Sequence, residues 1–83
     1  MNKIVVEVRV PAINKVYDAR IPKDIQVWEM VKMITDMISR LEPEMYSQKN
    51  QVVLCDYDTG KKIDINSLVA EAGLVNGTRL LLV

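Results

Sequence analysis

The sequence has no histidine and no phenylalanine, one cysteine, three glycines and three prolines among 83 residues, and its eleven basic and eleven acidic side chains cancel. Each shortage excludes a class of function. Without histidine the chain lacks the side chain best suited to proton transfer near neutral pH and the commonest metal ligand. A lone Cys55 can form neither an intramolecular disulfide nor a zinc knuckle, and it suits a reducing compartment. A nucleic-acid binder is expected to carry a basic excess that neutralises phosphates, and none exists here. No apolar run approaches the ~20 residues of a membrane span. Lys3, Glu7 and Arg9 break up any signal-like apolar stretch near the start. What remains is 49% hydrophobic and 27% charged, the expectation for one cytoplasmic domain over residues 1–83.

The apolar residues that are present fall into clear periods. Over residues 3–10, Ile4, Val6, Val8 and Val10 share one side of a strand, while Lys3, Val5, Glu7 and Arg9 share the other. Pro11 and Asn14 mark a turn. Residues 15–21 alternate again, with Tyr17, Ala19 and Ile21 opposite Val16, Asp18 and Arg20, so the two strands read as an antiparallel hairpin. After Pro22 the period lengthens. Asp24 is the expected N-cap of a helix of roughly 15–17 residues whose apolar stripe is Val27, Met30, Val31, Ile34, Met37, Ile38 and Leu41. Glu42-Pro43 ends it, because the residue before proline disfavours the α region.

A polar loop over residues 44–50 leads to a third strand at 52–55, then a turn at Asp58-Thr59-Gly60 and a short strand around 62–65. Residues 66–72 can form one or two helical turns, closed by Gly73, and Asn76-Gly77 turns the chain into a last strand at 78–83. The order is β-β-α-β-β-(short helix)-β. Such a helix needs one apolar sheet face to cover, so the expected fold is two-layered α+β, a mixed sheet of four to five strands against one long helix. The first and last strands are the most apolar and are expected to pair, in parallel, at the sheet centre.

That order, and the run Val69-Ala70-Glu71-Ala72-Gly73-Leu74-Val75-Asn76-Gly77-Thr78-Arg79-Leu80-Leu81-Leu82-Val83, resembles the close of ubiquitin-like β-grasp domains. Within them the chain is similar to the small proteins of the YukD/EsaB family attached to bacterial type VII secretion systems. The likeness rests on the V-x-V opening strand, Asp18-Ala19-Arg20-Ile21 before the helix, and the residues from Gly73 to Leu80. Conjugated ubiquitin-like proteins and sulfur carriers of this fold end in Gly-Gly, whose bare backbone threads an adenylating site. No Gly-Gly pair occurs in this sequence, so the resemblance implies a non-conjugated accessory role. Its implied partners are proteins, among them membrane components of the secretion machine. The alternative is a ubiquitin-like interaction module of another assembly; an enzyme or sulfur carrier would need an exposed glycine pair.

The chemical motifs read as structure. Asp56-Tyr57-Asp58-Thr59-Gly60 with Asp64 lacks the ligand order and closing Glu of a calcium loop, and Lys61 and Lys62 would repel the ion. Cys55 has no base partner, nor have Ser39, Ser47 and Ser67, and Glu42/Glu44 sit in a solvated helix exit. No catalytic, metal or cofactor residue is assigned. Met30 and Met37 belong to the helix core stripe, and Met33 lies at its edge.

Candidate binding residues lie elsewhere. Trp28 falls well off the stripe, near Lys32, Thr35 and Ser39, where it is either an exposed anchor or folded over the sheet edge. If Ile4, Val6, Val8, Val52, Leu54, Leu80 and Leu82 face the helix, alternation turns Val5, Val16, Val53, Leu81 and Val83 outward. Those five are expected to form one apolar row on the open sheet face, a surface that marks protein contact. A homodimer through the same row is left open.

Overall fold

The computed structural model describes residues 2–46 and 52–83; Ser47 and most of the expected polar loop lie outside them. The elements are β1 (Lys3–Val10), a 3-10 turn (Pro11–Ile13), β2 (Lys15–Pro22), α1 (Val27–Leu41), β3 (Leu54–Asp56) and β4 (Arg79–Leu82). The sheet is four-stranded in the order β2-β1-β4-β3. β1 meets β2 antiparallel, with Ile4 opposite Ile21 and Val10 opposite Lys15. β1 meets β4 in parallel, with Val8 opposite Leu80, as the apolar content of the two strands required. Among the described residues no helix is long and apolar enough to cross a membrane.

Alternation decides which side chains α1 covers. Val6, Val8 and Leu80 are fully buried beneath Val27, Met30, Ile34 and Ile38 of the helix. Each such aliphatic side chain contributes about 1.5–3 kcal/mol when withdrawn from water. The turn between β1 and β2 closes on Asn14 in the left-handed region (φ 54°), a conformation Asn tolerates better than most residues. Leu41, assigned to the stripe by periodicity, is exposed as the last residue of α1. Thr35 is buried instead, its hydroxyl donating to the Lys32 carbonyl at 3.1 Å.

The helix start differs from the sequence reading. Gln26, not Asp24, is the N-cap, and the Gln26 N–H donates to Glu29 Oε1 at 3.3 Å. The chain turns at Lys23 and Asp24 after β2 ends, and segment 65–70 bonds to it before the helix begins. Val69 N–H donates to the Ile25 carbonyl (2.9 Å) and Ala70 N–H to Lys23 (3.1 Å). In return the first helical N–H groups are satisfied across the gap, Val27 by the Ser67 carbonyl (2.9 Å) and Trp28 by Ile65 (3.1 Å).

The same exchange explains two further corrections. Residues 62–65 form no strand, only a bridge at Cys55–Lys62, because Asp64 folds back onto Asn66 N–H (2.9 Å) and Ser67 Oγ (3.2 Å). That turn pulls the chain off the β3 edge towards the helix. Residues 66–72 form no helix but one turn, in which Glu71 and Ala72 N–H both donate to Leu68 at 3.0 Å. Their neighbours are occupied holding α1. Gly73, at φ 80°, follows that turn.

The Asn76-Gly77 turn extends the ladder before β4 begins. Asn76 Oδ1 accepts the Val5 N–H at 2.8 Å, and Gly77 N–H donates to the Val5 carbonyl at 2.8 Å. Asn76→Ala is therefore expected to cost about 1 kcal/mol. In chemical denaturation, Leu80→Ala should lose about 2–5 kcal/mol, whereas Leu81→Ala, one residue on but facing outward, should lose less than about 1 kcal/mol. Equal losses at positions 80 and 81 would contradict this alternation.

Candidate functional site

The outer face of the sheet can be built from register alone. Val16 lies opposite Arg9, Arg9 beside Leu81, and Leu81 opposite Cys55, which forms one rung across all four strands. The next rung is Val53 with Val83, joined by reciprocal backbone bonds of 2.8 and 2.9 Å. On the other side lie Asp18, Glu7 and Arg79, with Tyr57 N–H donating to the Arg79 carbonyl at 2.9 Å. Val16 (51%), Tyr57 (45%) and Val83 (50%) are exposed, and Leu81, Val53 and Cys55 are half-buried by one another.

This places the sequence candidates sharply. Val16, Leu81, Val53 and Val83 share two adjacent rungs. Val5 faces outward too, but opposite Arg20, and the charged Glu7–Arg79 rung separates it from the rest. The expected single row is thus interrupted twice: Arg9 stands between Val16 and Leu81, and the Glu7–Arg79 rung separates Val5 from the others. Trp28 is not on this face at all. It stands at the start of α1, in the other layer, and is half-exposed.

Sequence reasoning missed the polar members of the face. The Arg9 guanidinium lies over the Tyr57 ring at 4.6 Å, and that of Arg79 lies 5.6 Å from the same centroid. Arg9 Nε also donates to Glu7 Oε2 (3.1 Å), and Arg79 pairs with Asp58. Such exposed pairs contribute little stability, but they hold both guanidinium planes around one aromatic ring. Alternation already turned Arg9 and Arg79 outward; Tyr57 was hidden because its neighbours read as a turn.

The acidic residues of that turn are committed to the chain itself. Asp56 Oδ1 accepts from the N–H groups of Asp58 (2.8 Å) and Thr59 (3.0 Å), and Asp64 serves Asn66 and Ser67. Among the described residues no group of three or more His, Cys, Asp or Glu is placed to hold a metal ion.

Trp28 borders a half-open groove of about 840 Å³ between α1 and the β3 side of the sheet. Val31, Val52, Leu54, Ile63 and Ile65 supply its apolar walls. The indole N–H is bonded to Gln26 Oε1, so the ring, and not its donor, is what the groove presents.

Residues 5–82 match the family model of the YukD protein of the WXG100 protein secretion system (Wss). The chain belongs to the YukD family. Its fold is the ubiquitin-like β-grasp. It is similar to the ubiquitin-like domain of EccD5 from Mycobacterium xenopi (16% identity, TM-score 0.81, all of this chain and 94% of that one). It is similar also to the ubiquitin-like domain of the Mycobacterium tuberculosis type VII secretion system protein EccD1 (13% identity, TM-score 0.76, 100% and 99% covered). A third likeness is to a chain of the MycP5-free ESX-5 inner membrane complex (16% identity, TM-score 0.80), of which this chain spans 21% while being fully covered itself. No curated protein matches the chain. A YukD domain is thereby linked to type VII secretion.

At the far end of α1, the Tyr17 hydroxyl donates to Glu42 Oε2 at 3.5 Å, and Lys15 Nζ lies 3.9 Å from the same oxygen. Burial, and then the Glu42 carboxylate, raise the Tyr17 pKa above its ordinary value of 10.0; burial raises that of Tyr46. Unfolded tyrosines lose their protons first, so above about pH 10 the unfolded state binds fewer protons and stability falls as pH rises. Urea midpoints should be insensitive to these groups below about pH 9 and drop above about pH 10. Tyr17→Phe should flatten part of that drop.

Proposed function

We propose that this chain is a single ubiquitin-like domain that acts by docking onto protein components of a type VII secretion machine, on its cytoplasmic side and without chemistry of its own. The docking surface is the outer sheet face. One observation carries the reading: Leu81, Val53 and Val83 lie on adjacent rungs, with Val16 across Arg9 from Leu81, around an Arg9–Tyr57–Arg79 stack on the face that α1 leaves uncovered. Aromatic residues and arginine beside aliphatic surface form the composition of interface anchors. The family, and the likeness to domains of inner membrane secretion complexes, supply the setting.

On this reading Leu81 and Val16 are the apolar contacts, and the two guanidinium groups fix orientation against carboxylates or carbonyls of the partner. Val5 plays no part, because the Glu7–Arg79 rung stands between it and the others.

The test uses the full chain and the detergent-solubilised secretion complex of its host. Leu81→Asp and Val16→Asp should leave the circular dichroism unchanged and weaken co-sedimentation at least about tenfold, the equivalent of 1.4 kcal/mol. Val5→Asp should bind as the parent does. Full binding by both Leu81→Asp and Val16→Asp would reject this face.

A further inference from the structure

The free edge of β2 is a surface distinct from the outer face of the sheet. We infer that it is a self-association site, at which two copies of the chain pair their β2 strands antiparallel into one continuous sheet.

The backbone shows which groups are available. Val5 and Glu7 turn theirs towards β4: Asn76 Oδ1 accepts the Val5 N–H (2.8 Å), the Val5 carbonyl accepts the Gly77 N–H (2.8 Å), and the Thr78 carbonyl accepts the Glu7 N–H (2.9 Å). The alternate residues Ile4, Val6 and Val8 therefore face β2, and the residues opposite them, Ile21, Ala19 and Tyr17, direct their N–H and C=O groups to β1. Lys23 N–H, which donates to the Asn2 carbonyl at 2.6 Å, continues the same set. Val16, Asp18 and Arg20 point theirs the other way, where they meet no partner among the described residues. The opposite edge of the sheet is covered, because segment 61–63 lies along β3, with Ile63 N–H donating to the Leu54 carbonyl and Asp56 N–H to the Lys61 carbonyl (both 2.8 Å). β2, eight residues long, is the strand whose edge is left open.

Charge selects the occupant. Asp18 and Arg20 are both exposed and make no ion pair among the described residues. Asp18 stands directly opposite Glu7, a like charge, and the cation next to them, Arg9, is held by Glu7. A cation supplied from the open side relieves that repulsion. In an antiparallel pair of β2 strands centred on Ala19, each Asp18 falls opposite Arg20 of the other copy, and the two residues exchange both of their backbone hydrogen bonds. A register one hydrogen-bonding step away sets Asp18 against Asp18 or Arg20 against Arg20. The two charges thus admit one alignment of a second copy and oppose those beside it. At the centre Ala19 meets Ala19 on the helix side, a small side chain where the strands approach closely. The arrangement is two-fold and closes on itself, so it stops at a dimer and brings the two outer sheet faces onto one side. A single strand pair is a small interface, of the reversible class.

The experiment uses the full chain alone, so none of its readouts depends on docking to the secretion complex. Sedimentation from ~10 μM to ~1 mM should show a reversible monomer–dimer equilibrium within that range. In amide hydrogen exchange, Val16, Asp18 and Arg20 should gain protection as concentration rises, while Tyr17, Ala19 and Ile21 stay protected throughout. Asp18→Arg and Arg20→Asp, both at exposed positions, should keep the circular dichroism of the parent and each weaken self-association at least about tenfold. Mixed in equal amounts, these two variants should associate with each other, because every facing pair is then Asp against Arg again. A parent that stays monomeric at the highest concentration, a mixture of the variants that stays monomeric, or protection that grows at Leu81 and Val53 instead of at Val16, Asp18 and Arg20 would each overturn the inference.

Discussion

The parallel pairing of β1 with β4 is the constraint from which the remaining architecture follows. Two strands from opposite ends of the sequence lie side by side, with Val8 against Leu80, and both are apolar towards the same side. A parallel pair cannot be closed by a tight turn, so the connection must cross over the sheet. α1 lies in that crossover, and its stripe of Val27, Met30, Ile34 and Ile38 seals the face the two strands create. The edge strands β2 and β3 then add their own inner side chains, Ala19, Ile21 and Leu54, to the same layer. The opposite face inherits the alternate residues of all four strands. Its character is thus dictated by the registers that build the core.

Much of this was legible in the sequence because it is encoded by period. The alternation of residues 3–10 and 15–21, and the helical spacing from Val27 to Ile38, each point to one arrangement, and the structure adopts it. Between Asp56 and Gly73 the reading failed. There, side-chain bonds within the turn and backbone bonds to the helix entrance outcompete both the strand and the short helix suggested by local composition. Asp24 was misread for the same reason: the cap is the residue at which the helix starts, and a segment some forty residues away in sequence, bonded to Lys23, Ile25, Val27 and Trp28, holds that start at Gln26.

The candidate surface shows the same division. Outward orientation at Val16, Val53, Leu81 and Val83 follows from parity along each strand. Which of them adjoin follows from register between strands, and no single strand contains that information. The isolation of Val5 behind Glu7 and Arg79, and the gathering of Arg9 and Arg79 around Tyr57, are both consequences of pairing across the sheet. Trp28 was noticed because a large aromatic off the stripe is unusual, yet the layer it serves became apparent only when Ile63 and Ile65 were placed opposite it.

The exchange of hydrogen bonds at the start of α1 has a mechanical consequence. The carbonyls of Ile65 and Ser67 complete the first helical turn, and Lys23 and Ile25 hold Ala70 and Val69 in return. Displacing segment 65–67 would strip the Val27 and Trp28 amides of their acceptors at once, so this wall of the cleft cannot move without fraying the first turn of the helix.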